Sequence, residues 1–218
     1  MYRSNQLTDL LMIIFIAMPV VILSSQSSPL QVGVKAGMHI TNLDEGRYSD
    51  YDYFYPGAGI YAGITLDKRL SNKWDFNVEI LMVRRIAKEK YKDESGPILD
   101  YELSNHRLHS TSIMLPVSMN YAIDRLNIQA GVFTEYYVHR STSGEAYHPE
   151  VDNLSMDKDF NAGLIIGGHY DFYNLEVGMR KLIGMINQEE FMINEDGINE
   201  KISLYSTDDL QFYVKYLF

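Results

Sequence analysis

Residues 31–40 read QVGVKAGMHI, a stretch in which apolar and polar or glycine positions alternate at every step. One set of alternate positions consists of Val32, Val34, Ala36, Met38 and Ile40, and the other consists of Gln31, Gly33, Lys35, Gly37 and His39. A period of two is that of a β-strand, because successive side chains of a strand point to opposite faces. The stretch therefore predicts a strand with one apolar face and one polar, glycine-rich face.

The same alternation recurs along the rest of the chain, and no helical period of useful length follows it. It is found again in residues 57–66, 74–82, 113–121, 126–135, 160–167, 175–180 and 210–218. We therefore predict eight strands in all.

The connections between these strands are short and long in turn. Short turns follow strands two, four and six, and long segments follow strands one, three, five and seven: Asn42–Pro56, Ala87–Asn105, His139–Lys158 and Ile186–Ser206. This order predicts an all-β fold, an eight-stranded antiparallel up-and-down barrel with its four long loops at one end.

The composition agrees with a β-rich chain and excludes several classes of protein. The 218 residues include 17 Tyr, 9 Phe and 15 Gly but only 6 Pro, a balance that favours strands and tight turns. A formal net charge of -10 argues against a nucleic-acid partner, which needs concentrated positive charge. The absence of Cys excludes disulfides, thiolate metal sites and a Cys nucleophile.

The N-terminus has the layout of a secretory signal peptide. Residues 10–23 read LLMIIFIAMPVVIL, with Arg3 before this apolar run and SSQSSP after it. The run is shorter than the roughly 20 residues that a membrane-spanning helix needs. We therefore expect a signal peptide over residues 1–27 and a barrel domain over residues 28–218; an uncleaved membrane anchor is the alternative.

The polar face of the predicted strands indicates which side of the barrel meets water. A soluble barrel would show water a face dense in Lys, Glu and Thr, whereas this face is rich in glycine with a few isolated charges. Such a face suits the crowded interior of an eight-stranded barrel. Aromatic residues also collect at the short-turn end of the apolar face, as in a membrane girdle: Trp74, Tyr121, Tyr170, Phe172, Tyr216 and Phe218. The sequence therefore predicts a transmembrane barrel.

Four segments carry a family resemblance: QVGVKAGMHI, IMLPVSMNYAI (113–123), LNIQAGVF (126–133) and LQFYVKYLF (210–218). With them the chain resembles the small eight-stranded outer-membrane β-barrel proteins of gram-negative bacteria, the PorT-like domain and, in architecture, the OmpA and OmpX barrels. The resemblance implies the cell outer membrane as location, and outer-membrane lipids and lipopolysaccharide as surroundings. It also implies that Phe212, Tyr216 and Phe218 form the terminal signal read by the barrel assembly machinery.

Six charged residues fall on the inward face of the predicted strands. They are Lys35, Arg180 and Lys215 with Glu79, Glu135 and Glu176. Unpaired charges in a narrow interior are costly, so we expect these groups to pair. The pairing predicts a closed, salt-bridged lumen, with a proton or ion path as the alternative.

The four long loops are acidic, and one of them contains a tyrosine-rich segment. Residues 47–56 read RYSDYDYFYP, and their aromatic residues are candidates for a surface contact with a protein partner: Tyr48, Tyr51, Tyr53, Phe54 and Tyr55. The same segment would also suit a cap folded over the barrel mouth. Acidic loops by themselves also suit solubility, or bridging to lipopolysaccharide through divalent cations.

Motifs for catalysis or metal binding are weak. The stretch DKDFNAG (157–163) begins like a calcium loop, but its glycine is misplaced and Gly168 stands where the loop needs Glu. No H-E-x-x-H, G-x-S-x-G or P-loop occurs. We therefore expect no cofactor, no metal site and no enzymatic activity, and a structural or surface-interaction role. The alternatives are an accessory role in protein secretion, or a lipid-modifying barrel enzyme using His109, His139, Ser141 and Asp152.

Overall fold

The structure, a computed structural model, describes residues 30–44, 54–89, 107–143, 159–186, 189–195, 198–204 and 206–218. These ranges form ten strands: β1 (Leu30–Asp44), β2 (Phe54–Arg69), β3 (Trp74–Glu89), β4 (Arg107–Ile123), β5 (Leu126–Ser143), β6 (Phe160–Phe172), β7 (Leu175–Gly184), β8 (Glu189–Glu195), β9 (Ile198–Leu204) and β10 (Ser206–Leu217). Within them, no helix has the length and apolar character that crossing a membrane requires.

Eight strands close into a barrel in the order β1, β10, β7, β6, β5, β4, β3, β2. Every neighbouring pair is antiparallel, including the pair of β1 with β10 that closes the ladder. The prediction of an eight-stranded antiparallel up-and-down barrel is confirmed.

The apolar positions of the alternating sequence lie on the outer face of the barrel, and the polar positions face its interior. On β1, the side chains of Val34 and Met38 are 45% and 63% exposed, whereas Lys35 and His39 are 3% and 1% exposed. The other barrel strands repeat this pattern, for example with Ile80 outside and Glu79 inside on β3. The apolar face therefore lies outward, as a barrel in lipid requires, and the opposite face fills the interior.

Three short connections lie at one end of the barrel. They join β2 to β3, β4 to β5 and β6 to β7, and the last two contain only residues 124–125 and 173–174. Asp124 (φ 55°) and Tyr173 (φ 58°) adopt the left-handed conformation at these turns. A positive φ of this kind lets two residues reverse the chain between strands that twist to the right.

Aromatic rings contact one another at the short-turn end of the barrel. The ring centroids of Trp74 and Tyr121 are 4.9 Å apart, on the neighbouring strands β3 and β4. The rings of Tyr170 and Phe172 are 4.6 Å apart, and those of Tyr216 and Phe218 are 5.4 Å apart. These pairs place the predicted aromatic residues at the height of a membrane interface.

The strand boundaries and the strand count differ from the prediction in two ways. β2, β3 and β5 run further toward the long-loop end than the alternation indicated, because the ladder continues into polar sequence beyond the apolar band. In addition, β8 and β9 form a separate two-stranded hairpin within residues 186–206, which we predicted as a connection without strands. The signal for that hairpin is Asp196-Gly197, a dipeptide typical of two-residue turns.

Several predicted features lie outside the described residues. They include the signal peptide over residues 1–27 and most of the three long loops that follow β1, β3 and β5.

Candidate functional site: the interior of the barrel

The interior is narrow, and glycine makes room for its larger side chains. A Cβ atom on Gly37 would stand 2.1 Å from the carbonyl oxygen of Phe212 and 2.7 Å from the Tyr61 ring. A side chain at this position of β1 would therefore collide with the tyrosine that crosses the interior. Tyr61 donates its hydroxyl hydrogen bond to the same carbonyl, at 3.3 Å.

Glu79 on β3 is the centre of a buried group of charges in the short-turn half. Lys35 donates to its carboxylate from β1 at 2.6 Å. Arg180 donates from β7 through two nitrogens, at 3.0 Å to each oxygen, in the bidentate geometry that suits a guanidinium and a carboxylate. Since all three side chains are at most 3% exposed, the group ties β1, β3 and β7 together across the interior.

Lys215 on β10 binds two further carboxylates, nearer to the short turns than this group. Its ammonium lies 2.8 Å from Asp67 of β2 and 2.7 Å from Glu176 of β7. Asp67 also accepts hydrogen bonds from Asn77 at 2.9 Å and from Thr65 at 3.1 Å. Each oxygen of the Asp67 carboxylate therefore has a partner, as a buried charge requires.

A group of apolar and aromatic side chains occupies the middle of the interior. All of its members are at most 3% exposed: Tyr61, Leu81, Val83, Met114, Phe133, Ile165, Leu182 and Tyr213. The Lys35 ammonium lies 3.8 Å from the centroid of the Tyr213 ring, so the apolar group contacts the charged group directly. The register of the strands places this apolar layer between two charged layers.

The second charged layer lies in the long-loop half and is centred on Arg85 of β3. The guanidinium of Arg85 binds Glu135 of β5 and Asp209 of β10. Ser112 of β4 accepts from Arg85 at 3.3 Å and donates to Glu135. One guanidinium thus connects β3 with β4, β5 and β10, and of these three strands only β4 is a direct neighbour of β3.

The six charged residues predicted for the interior are all buried, but the structure divides them between the two layers. Lys35, Glu79, Arg180, Lys215 and Glu176 lie in the short-turn half, and Glu135 lies with Arg85 in the other. The sequence reasoning missed three partners, namely Asp67, Arg85 and Asp209. The sequence could have indicated them, because each stands at an inward-facing position when the alternation of its strand is extended by a few residues.

The other predicted site residues lie partly outside the described residues and partly on the outer face of the barrel. Tyr48, Tyr51 and Tyr53 lie outside the described residues, and of Phe54 and Tyr55 only the backbone, at the start of β2, is described. Phe212, Tyr216 and Phe218 are 39%, 45% and 72% exposed on the outer face.

The residues considered for a lipid-modifying enzyme are only partly placed together. The ring of His109 lies 3.0 Å from the hydroxyl of Ser143, and its backbone pairs with Ser141. His139 pairs instead with Thr111, and Asp152 is outside the described residues.

A closed barrel with an apolar outer face and a filled interior defines the class: a β-barrel that spans a membrane with its strands. The model of the family described as "Outer membrane protein beta-barrel domain" matches residues 24–188, and the chain belongs to this family. It is therefore an outer-membrane protein. A search among curated proteins found no match.

The solved structures to which the chain is similar include the following three. The chain is 14% identical to outer membrane protein W of E. coli, with a TM-score of 0.45 and with 88% of this chain and 100% of that chain covered. Neisserial surface protein A gives 14% identity, a TM-score of 0.41, and 88% and 100% coverage. The third is Ail, the attachment invasion locus protein of Yersinia pestis, solved in complex with the heparin analogue sucrose octasulfate. Its sequence identity to this chain is 9% and its TM-score is 0.41, with 87% of this chain and 99% of that chain covered.

Proposed function

We propose that the protein is a non-conducting, non-enzymatic outer-membrane barrel that acts through its loops, in outer-membrane structure or in surface interaction. The observation that carries this proposal is the filling of the interior by two charged layers and the apolar layer between them. A permeating ion would have to displace side chains such as Arg180 and Phe133, which are 1% and 2% exposed. Breaking such buried ion pairs costs several kcal/mol.

The surroundings of the barrel belong to the same proposal. A signal peptide over residues 1–27 would direct export, and the terminal aromatics Phe212, Tyr216 and Phe218 would be read by the barrel assembly machinery. The long loops, which lie opposite the short turns, would then face the cell surface and its lipopolysaccharide, because short turns face the periplasm in barrels of this type. A surface protein partner would bind at these loops.

Conductance measurement tests the closed interior. Purified protein inserted into a planar bilayer should give no steady open-channel current, because the ion pairs of Glu79 and Arg85 hold opposite walls together. The triple variant Glu79→Ala/Arg85→Ala/Phe133→Ala removes the centres of both charged layers and a large side chain of the apolar layer, and serves as the comparison, since it should admit ions if it remains folded. A steady large conductance of the unaltered protein would contradict the proposal.

A second experiment tests the tyrosine-rich loop. Replacing Tyr51, Tyr53 and Tyr55 with Ser should leave membrane insertion and the closed interior unchanged, because the adjacent Asp50 and Asp52 favour an exposed segment over a buried one. Binding to host cells or to membrane extracts should fall. Tyr173→Ser, which alters a tyrosine that is 97% exposed at the short-turn end, provides the control. If the loop variant instead conducts ions, the segment is a lid and not a contact surface.

A further inference from the structure

Three side chains with metal-ligating atoms converge in the short-turn half of the interior. They are His169 and Asp171 on β6 and Glu176 on β7, and one ligand atom from each lies within 4.8 Å of the others. We propose that these three residues bind a divalent cation of intermediate softness, of the Zn²⁺ type, inside the barrel.

The β6–β7 hairpin brings the three residues together. His169 and Asp171 are two positions apart on β6, so both side chains point to the same face. Asp171 pairs directly with Glu176 across the hairpin. Two like charges directly opposite one another destabilise a sheet, and a cation bound between them removes that repulsion.

The distances within the cluster suit a shared ion better than direct hydrogen bonds. The Nε2 atom of His169 lies 3.5 Å from Oδ1 of Asp171 and 3.7 Å from Oε2 of Glu176. Both distances exceed the ordinary range of an N–H···O hydrogen bond. Ligand atoms about 2.0–2.1 Å from a tetrahedral Zn²⁺ are separated by about 3.4 Å, which is close to the two distances measured from the imidazole.

Two of the three side chains, His169 and Asp171, are each held in place by a second side chain. The hydroxyl of Tyr213 lies 3.3 Å from Nδ1 of His169. Asn127 donates to Oδ2 of Asp171 at 2.8 Å, and Oδ1, the oxygen facing the imidazole, is buried without a hydrogen-bond partner. Contacts of this kind orient the ligands of metal sites and fix the histidine tautomer.

Gly178 of β7 leaves space for the Tyr213 ring and for the Cβ atom of His169. It pairs with His169, and a Cβ atom there would stand 2.5 Å from Cζ of Tyr213 and 2.7 Å from Cβ of His169. The side chains of His169 and Glu176 are 5% and 9% exposed, whereas that of Asp171 is 39% exposed. The carboxylate of Asp171 therefore connects the cluster to solvent at the short-turn mouth.

The local charges accommodate a cation. Three carboxylates lie here, those of Asp67, Asp171 and Glu176, and the ammonium of Lys215 binds two of them, Asp67 and Glu176. Lys215 keeps Asp67 as a partner when Glu176 turns to an ion. Because one ligand is an imidazole, the set favours Zn²⁺ over Ca²⁺ or Mg²⁺, which prefer oxygen ligands alone.

Titration of the whole, tag-free chain in detergent micelles tests the site. Isothermal calorimetry with zinc chloride should show one Zn²⁺ bound per barrel, and Co²⁺ should give the visible spectrum of an ion with an imidazole ligand. The variant His169→Gln should lose both signals. His139→Gln, which alters an exposed histidine at the other end of the barrel, is the matched control and should keep them.

Two further variants, Asp171→Asn and Tyr213→Phe, test the Zn²⁺ site independently of His169→Gln. If His169→Gln does not fold to an SDS-resistant barrel, Asp171→Asn takes its place, because Asp171 is part-exposed and Asn keeps the contact with Asn127. Tyr213→Phe should weaken Zn²⁺ binding by about 10–100-fold without abolishing it, as expected for a positioning residue. Absence of Zn²⁺ binding by the unaltered chain, or equal binding by it and by His169→Gln or Asp171→Asn, would overturn the proposal.

Discussion

Glu79 is the residue on which the short-turn charged layer depends. It accepts from Lys35 and from both terminal nitrogens of Arg180, so its removal leaves two buried cations without their carboxylate. We expect Glu79→Gln to lower the free energy of unfolding by about 3–5 kcal/mol. The measurement is equilibrium unfolding by urea of the barrel in lipid vesicles.

Asp75 provides the control for Glu79. Asp75 pairs with Arg69 at 3.2 Å, but the Arg69 side chain is 68% exposed. An exposed pair contributes little, so Asp75→Asn should change the free energy of unfolding by about 0–1 kcal/mol. Equal effects of Asp75→Asn and Glu79→Gln would mean that the interior is hydrated and that the layer does not stabilise the barrel.

Single residues also show how far the sequence predicts the interior. Glu79 and Lys35 lie within segments where apolar and polar positions alternate regularly, and this alternation alone assigns their side chains to the interior. Asp67, Arg85 and Asp209 lie just beyond the alternating segments, where the sequence looked like turn or loop. Their inward orientation depends on how far the ladder continues, and that length is set by pairing with neighbouring strands rather than by local hydropathy.

At the scale of elements, the β8–β9 hairpin stands apart from the closed ladder. The barrel closes through β1, β10 and β7, so none of its ladder bonds involves residues 189–204. Replacing these residues with a flexible linker should therefore leave the barrel able to fold into lipid vesicles and to resist SDS. The measurement is the electrophoretic mobility of unboiled samples.

The corresponding deletion within the ladder is the control for the hairpin. Removing β7 (Leu175–Gly184) takes away partners of both β6 and β10 and should abolish SDS resistance. Loss of resistance on removing the hairpin as well would show that β8 and β9 support the barrel.

For the molecule as a whole, closure predicts resistance to detergent. A barrel whose first and last strands pair has no free edge at which SDS can begin to open the ladder. Folded protein should therefore migrate with a different apparent mass before and after boiling in SDS. Identical mobility of both samples, with circular dichroism showing helix, would contradict the fold.

The pairing of β1 with β10 also determines when the barrel can close during synthesis of the chain. Residues near position 33 find their partners only near position 217, so the first strand to be synthesised lacks one neighbour until the last has been made. Contacts between such distant segments form slowly, and unpaired strand edges aggregate. The barrel therefore cannot close before β10 has been synthesised, and one edge of β1 must stay unpaired until then.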